Sequence, residues 1–393
     1  MKRSIVRVGA VGLILAMVAG IAPMVASASS APLGIPGLLT LPPPAKPKHG
    51  GTMTILLGAG LLGSWTSLGS INDQGFNGGF EDSIFGTLFG QLYNGKIIPQ
   101  LATSGKLSNG GKTFTIELRH GVTFTDGTPF NADAVIANFK VDLAPTSLCG
   151  CSGNFPVTSM TAPDPYTIVM NLKYPDGAIL HAFPDTDMDW IESPTYWNGL
   201  TKAQQSADLF PVGAGPFKVV ADTPNVGVTM VRNPTYWSKT YPYLNKLIFK
   251  VVGNDSSALA AIQSGEAQVY GGYGEYQNVA SITREVDVYG GLRNGTNVSD
   301  VQFNTMKAPF NNILAREAVA YATDPGSINK ALFANTSTVV QVPTGPGSLF
   351  YESKVPGYRS YNLKKAKALV KQLGGSLNIT LLSQNQLQGQ EVD

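Results

Sequence analysis

The most regular pattern of the chain lies between Gly111 and Phe139. Phe114, Ile116 and Leu118 alternate with Thr113, Thr115 and Glu117, a period of two that predicts a strand with one buried face. Arg119-His120-Gly121 predicts a turn, and Val122 and Phe124 a short return strand. Asp126-Gly127-Thr128-Pro129 is a second turn, in which aspartate can bond its own backbone and glycine accepts a positive φ. Asn131 then falls where a helix N-cap belongs, with Asp133 in the first turn against the helix dipole. Val135, Ile136 and Phe139 share one face of that helix. Elsewhere the patterning predicts strands at Gly51 to Leu57, after the Asp164-Pro165 turn, at Val228 to Arg232 and at Asn378 to Leu382. Ile84, Leu88 and Leu92 with Phe85 and Phe89 recur at helical spacing, so a core helix is expected over Ser83 to Tyr93, followed by an Asn94-Gly95 turn.

Composition adds a location. Lys2, Arg3 and Arg7 precede an apolar run from Val8 to Ala22, and Ala26-Ser27-Ala28 offers a small-residue cleavage site. Residues 1–28 are therefore read as a signal peptide; an uncleaved anchor helix is the alternative, for which the run is short. Residues 29–49 carry a Pro-Pro-Pro run and read as a stiff linker. The 393 residues allow one to three domains, and a hydrophobic content of 43% is ample for a core. Charged residues make up only 14%, against roughly 25% in an average soluble protein. A net charge of +2 gives no argument for a nucleic-acid partner.

Four constellations imitate known chemistry and fail on their own terms. Gly58, Gly60 and Gly63 follow a strand as in dinucleotide-binding loops, but the continuation is too rich in Gly, Ser and Asn to open the required helix. Gly111-Lys112-Thr113 ends like a phosphate-binding loop, yet the first glycine stands one place too early, at Gly105, and a strand follows. Asp185, Asp187 and Asp189 imitate a calcium loop with Trp190 at the obligatory glycine, and read as a solvated acidic loop. Ser327 and Lys330 form a Ser-x-x-Lys pair without its companion motifs, and read as the start of an ordinary helix. Cys149 and Cys151, separated by Gly150, form either a local disulfide or two free thiols; two cysteines cannot close a zinc site, and His120 and His181 are far off in sequence. No metal, cofactor or catalytic residue is expected.

The order strand, strand, DGTPF turn and capped helix resembles the signature segment of the extracytoplasmic solute-binding proteins of the oligopeptide, dipeptide and nickel type. Further stretches resemble the same family: Pro211 to Val219 (PVGAGPFKV), Arg232 to Trp237 (RNPTYW), Tyr243 to Lys250, Leu259 to Ala267, Val301 to Ala322 and Tyr361 to Gly374. The resemblance implies a helix and turn over Leu259 to Ala267, a strand at Val301 to Thr305 before a turn and an amphipathic helix, and a helix over Tyr361 to Gly374. It covers about Gly50 to Gly374.

That resemblance implies an α/β, two-lobed periplasmic-binding-protein fold of three domains. Domain I takes residues 50–70 and 207–297, inserted domain II residues 71–206, and a partial domain III residues 298–393. Members of the family continue further, so a C-terminally incomplete copy is expected. The implied role is capture of a small solute, a di- or oligopeptide above all, by hinge closure of two lobes in an exported monomer. Delivery to the permease subunits of an ABC transporter would follow, without catalysis. The loop after the first strand supplies the implied ligand contacts Ser64, Trp65, Thr66 and Ser67, with a buried core ring as the alternative for Trp65. Tyr273, in an aromatic cluster with Tyr270 and Tyr276 that reads either as a flat ligand surface or as strand-end packing, and Asn304 join them. A secreted hydrolase and a chemosensory receptor on the same fold are the competing readings.

Overall fold

The computed structural model describes residues 5–7, 38–39, 46–58, 78–92, 96–147, 149–205, 210–224, 226–271, 287–289, 301–335, 338–342 and 351–380. The chain divides into two compact units, one of residues 1–28, 39–274 and 285–292, the other of residues 29–38, 275–284 and 293–393. In the first unit the elements that position the site run β1 (Thr52–Gly58), α1 (Gly78–Phe85), β2 (Phe89–Gln91), β3 (Ile97–Pro99), β4 (Ala102–Ser108) and β5 (Thr113–Leu118). There follow α2 (Ala132–Asp142), β6 (Val157–Asp164), β7 (Thr167–Leu172), α3 (Ile179–Ala182) and α4 (Pro194–Gly199). The unit closes with β8 (Phe217–Thr223), β9 (Gly227–Arg232), β10 (Lys246–Val252), α5 (Asp255–Ser264) and β11 (Val269–Gly271).

Two cores form in this unit. The first lies under the antiparallel sheet β4-β5-β7-β6. The alternation of β5 sends Phe114, Ile116 and Leu118 inward, where they are almost wholly buried. Asn131 caps α2 through its side-chain oxygen, which accepts from the Ala134 N–H at 2.9 Å. That cap aims Val135, Ile136 and Phe139 at the sheet. Phe183 packs edge-on against Phe89 and Phe155. Burying a ring of that size contributes about 1.5–3 kcal/mol. The second core lies under the mixed sheet β8-β9-β10-β1-β11, where Ile55, Phe80, Ile84, Phe217 and Phe249 meet.

Four expectations change. The helix expected over Ser83 to Tyr93 ends at Phe85: Gly86 takes φ +68°, and Phe89–Gln91 is a strand paired with Ile97–Pro99. Helical spacing and strand length were confounded there, because a glycine in the left-handed region stops the helix between two apolar clusters. The Asn94-Gly95 turn lies outside the described residues. Val122 and Phe124 are buried but form no regular strand. They face Thr128 and Phe130 across the Asp126-Gly127 turn with one bridge, Thr123 to Pro129, and proline has no N–H to extend a ladder. Val301 to Asn304 is irregular, and so are residues 378–380. No strand among the described residues pairs with either.

In the second unit, α6 (Ile313–Ala322) and α8 (Leu363–Gln372) pack together through the buried alanines Ala315, Ala318 and Ala366; α7 (Pro325–Phe333) follows α6. Small residues at the crossing let the backbones approach, and Asn362 N–H reaches Tyr321 O at 2.8 Å. Arg359 adds two donors, Nε and Nη2, to Glu317 Oε1.

Candidate functional site

The candidate site is the carboxyl edge of the parallel strands β10, β1 and β11. β1 is the middle strand: Val252 of β10 pairs with Gly58 on one side, and Gly271 of β11 pairs with Leu57 on the other. The chain leaves β10 through α5 and crosses to the far side of β1 before entering β11. From Gly58 the chain instead leaves the sheet altogether, returning at β8 on its edge. Connections that diverge at the carboxyl ends of parallel strands open the crevice where ligands bind in open α/β sheets.

Local chemistry fixes this edge. Asn254 caps α5, its side-chain oxygen accepting from Ser257 N–H at 2.8 Å. Gly265 ends the helix at φ +80°, the left-handed geometry a helix C-terminus needs. Tyr270, buried in β11, donates its hydroxyl to Asp255 Oδ1 in the first turn of α5. Gln268 Oε1 accepts from Thr54 N–H at 2.8 Å and ties the start of β11 to β1.

Of the ligand contacts implied by the sequence, Ser64, Trp65, Thr66, Ser67 and Tyr273 lie outside the described residues. Their places in the chain are nevertheless anchored. In the sequence Ser64 to Ser67 come after Gly58, which ends β1, and Tyr273 after Gly271, which ends β11; these two strands are neighbours in the sheet. Asn304 is described. It is exposed in the second unit, and its side-chain oxygen accepts from Met306 N–H at 3.1 Å.

The two cores of the first unit meet at the Gly213-Ala214-Gly215 crossing, with Ala214 in one and the crossing's partners Ile84 and Phe85 in the other. Gly215 N–H donates to Ile84 O at 2.8 Å, and Thr125 N–H donates to Gly213 O at 3.0 Å. Neither glycine has room for a side chain: an added Cβ would lie 2.2 and 2.5 Å from the Ile84 carbonyl oxygen. Trp190 Nε1 donates to Asp82 Oδ1 at 2.8 Å. Arg119 lays its guanidinium 3.8 Å above the Trp237 ring and donates from Nε to Gln100 O at 3.0 Å. Burial lowers the Arg119 pKa, while burial pushes the neighbouring Tyr236 phenol up. Sequence reasoning placed Arg119 in a turn and Trp237 in a motif without joining them, because the partners are distant along the chain.

The remaining candidates resolve as structure. Asp187 and Asp189 are buried, which corrects the reading of a solvated acidic loop. Asp189 Oδ1 accepts from Phe89 N–H at 2.9 Å, so the acid terminates β2 instead of facing water. Gly105 is a packing glycine in β4: a Cβ there would meet the Phe114 ring at 2.7 Å. Ser327 donates its hydroxyl to Asp324 at 2.7 Å at the start of α7, as an ordinary helix cap. Cys149 and Cys151 are joined in a disulfide, both buried in the first core. His120 stacks on Tyr166 with ring centres 3.9 Å apart. Among the described residues no group of three or more His, Cys, Asp or Glu could hold a metal, and no helix is long and apolar enough to cross a membrane.

Residues 96–391 match the family described as bacterial extracellular solute-binding proteins, family 5 Middle. Heme-binding protein A of Haemophilus influenzae is 30% identical over 303 residues, 71% of this chain and 54% of that protein. The glutathione-binding protein GsiB of Escherichia coli is 28% identical over 295 residues, 74% of this chain and 56% of that one. The chain thus spans about half the length of the curated relatives it matches. Among solved structures, the periplasmic binding protein DppA of Helicobacter pylori in complex with the peptide STSA aligns with a TM-score of 0.66 at 25% identity. That alignment covers 83% of this chain and 67% of DppA. AgaA of A. tumefaciens in complex with agropinic acid aligns at 0.68 and 25% identity, covering 82% of this chain and 64% of that one. The α/β fold is that of periplasmic binding proteins, and the extracytoplasmic placement is that of the family. The chain belongs to the bacterial extracellular solute-binding proteins of family 5.

Proposed function

We propose that the protein is the substrate-binding component of an ABC transporter, capturing a peptide and delivering it to the permease subunits. The observation that carries this reading is the family match over residues 96–391, with the diverging parallel strand ends at Gly58 and Gly271 as its physical counterpart. In this reading domain I comprises residues 50–70 and 207–297, domain II residues 71–206, and domain III begins at residue 298. Ser64, Trp65, Thr66, Ser67 and Tyr273 contact the ligand, and Asn304 offers its amide N–H groups. Main-chain hydrogen bonds and flat aromatic surfaces supply affinity with loose side-chain selectivity. The protein acts as a monomer and changes no covalent bond in its ligand.

The test is incubation of the purified protein with a mixed peptide pool, followed by mass spectrometry of the retained and released fractions. Retention of intact peptides is expected. Cleaved products would replace the reading with a secreted hydrolase, and no retention at all would overturn the peptide as ligand.

A further inference from the structure

We infer that α8 carries a docking surface for an anionic lipid membrane. The helix reads LKKAKALVKQ, with four lysines and no acidic residue. At 100° per residue its positions sort into two faces. Ala366, Leu369 and Val370 turn inward, with Ala366 buried. Lys364, Lys367 and Lys371 fall within about 60° of one another on the opposite face and are exposed. Lys365 lies to one side, its ammonium 5.1 Å from the Tyr321 ring centre. No ion pair among the described residues engages Lys364, Lys367 or Lys371. The nearby Arg359, by contrast, is paired with Glu317.

Three features favour a lipid surface over a folded protein partner. The charges are lysines, compact point charges on flexible stems that suit a fluid array of phosphates better than a fixed carboxylate geometry. The turn leading into α8 exposes Tyr358 and Tyr361, at 39% and 47%, and the first helical residue Leu363 is 45% exposed. Tyrosine and leucine beside lysine is the composition of a segment that lies in a headgroup layer, with rings at the boundary and ammonium groups reaching phosphate. The helix also carries no acidic residue, so a uniformly negative surface meets no repulsion from the side chains of its lysine face. The inference rests on the extracytoplasmic placement of the family but not on the identity of any solute.

The test is co-sedimentation of the purified full chain with vesicles of phosphatidylglycerol and phosphatidylcholine, and with vesicles of phosphatidylcholine alone. Binding to the anionic vesicles at low salt is expected, with loss at high salt and none to the neutral ones. K364Q/K367Q/K371Q keeps good helix formers and removes three charges, and its affinity should fall about a hundredfold. K106Q/K112Q/K173Q removes the same charge from exposed lysines of the first unit and should bind as the unaltered protein does. The inference is overturned if the unaltered chain ignores anionic vesicles, or if both triple variants lose affinity equally. Retention of peptides in the pool experiment is read separately, so either result stands without the other.

Discussion

The backbone of Gly213 lies against the carbonyl oxygen of Ile84 so closely that a single added methyl carbon would sit 2.2 Å from it. That contact explains why the crossing between the two cores of the first unit reads Val-Gly-Ala-Gly-Pro. Thr125 N–H donates to Gly213 O, Gly215 N–H to Ile84 O and Asn233 N–H to Pro216 O, so three separate segments converge on it. The clash is with backbone, which cannot rotate away. Gly213→Ala is therefore expected to destabilise the protein by about 3 kcal/mol, at the upper end for overpacking. Gly253→Ala is its control, because nothing lies within 4 Å of a Cβ built there. Thermal unfolding of the two variants checks the pair: equal stability would mean that the crossing relaxes.

A second prediction concerns acid. Asp142 closes the last turn of α2, is almost wholly buried, and its Oδ2 finds no hydrogen-bond partner among the described residues. Burial first, and the charge of Asp187 second, raise its pKa well above the ordinary aspartate value. The sign follows from linkage. A carboxyl whose folded pKa is raised stabilises the fold fully below its unfolded pKa, and that contribution disappears as pH rises through the folded value. Asp142→Asn, which removes the titration at constant shape, is expected to raise the unfolding temperature at pH 7 and to change it little at pH 3. A variant equally stabilised at both values would show that the charge is not the cause.

The disulfide makes the third. Cys149 and Cys151 close a very small ring through Gly150, whose φ of +64° supplies the left-handed bend. So short a loop removes little freedom from the unfolded chain, about 1–2 kcal/mol in the chain-entropy account. Cys149→Ala/Cys151→Ala is expected to cost about that much in chemical denaturation while the fold survives. Both sulfurs are buried, so mild reductant should leave the native protein's thiols untitrated. Rapid thiol release without denaturant would contradict the burial.

The sequence made much of this legible where local rules and packing agree. The alternation of β5 and the Asn131 cap are each set within a few residues, and the chain folds there as its pattern demands. Ser83 to Tyr93 failed because one pattern fitted two periods, and Gly86 decided between them only through its φ. The burial of Asp187 and Asp189 was illegible for another reason: acids turn inward when a distant backbone needs them, as Phe89 N–H needs Asp189. The pairing of β1 between β10 and β11 joins residues about two hundred positions apart, and only the register shows that Gly58 and Gly271 end neighbouring strands.

That register motivates the last prediction. Trp65 stands seven residues beyond Gly58, in the segment that leaves the middle strand at its carboxyl end. Tyr273 follows the neighbouring strand end. If both line the crevice, each ring contributes flat contact area and its removal weakens ligand without touching either core. Trp65→Ala is expected to lower affinity for a retained peptide by at least about tenfold in calorimetry, as for a central aromatic contact. Its unfolding temperature without ligand should match that of the unaltered protein. The comparison is with Phe249→Ala, in the second core, which should cost about 3–5 kcal/mol of stability. A Trp65 variant that unfolds early with its affinity intact would place the ring in a core and remove it from the site. A variant that keeps its stability and loses its ligand would tie recognition to the carboxyl edge of β1, the place where the chain's connections part.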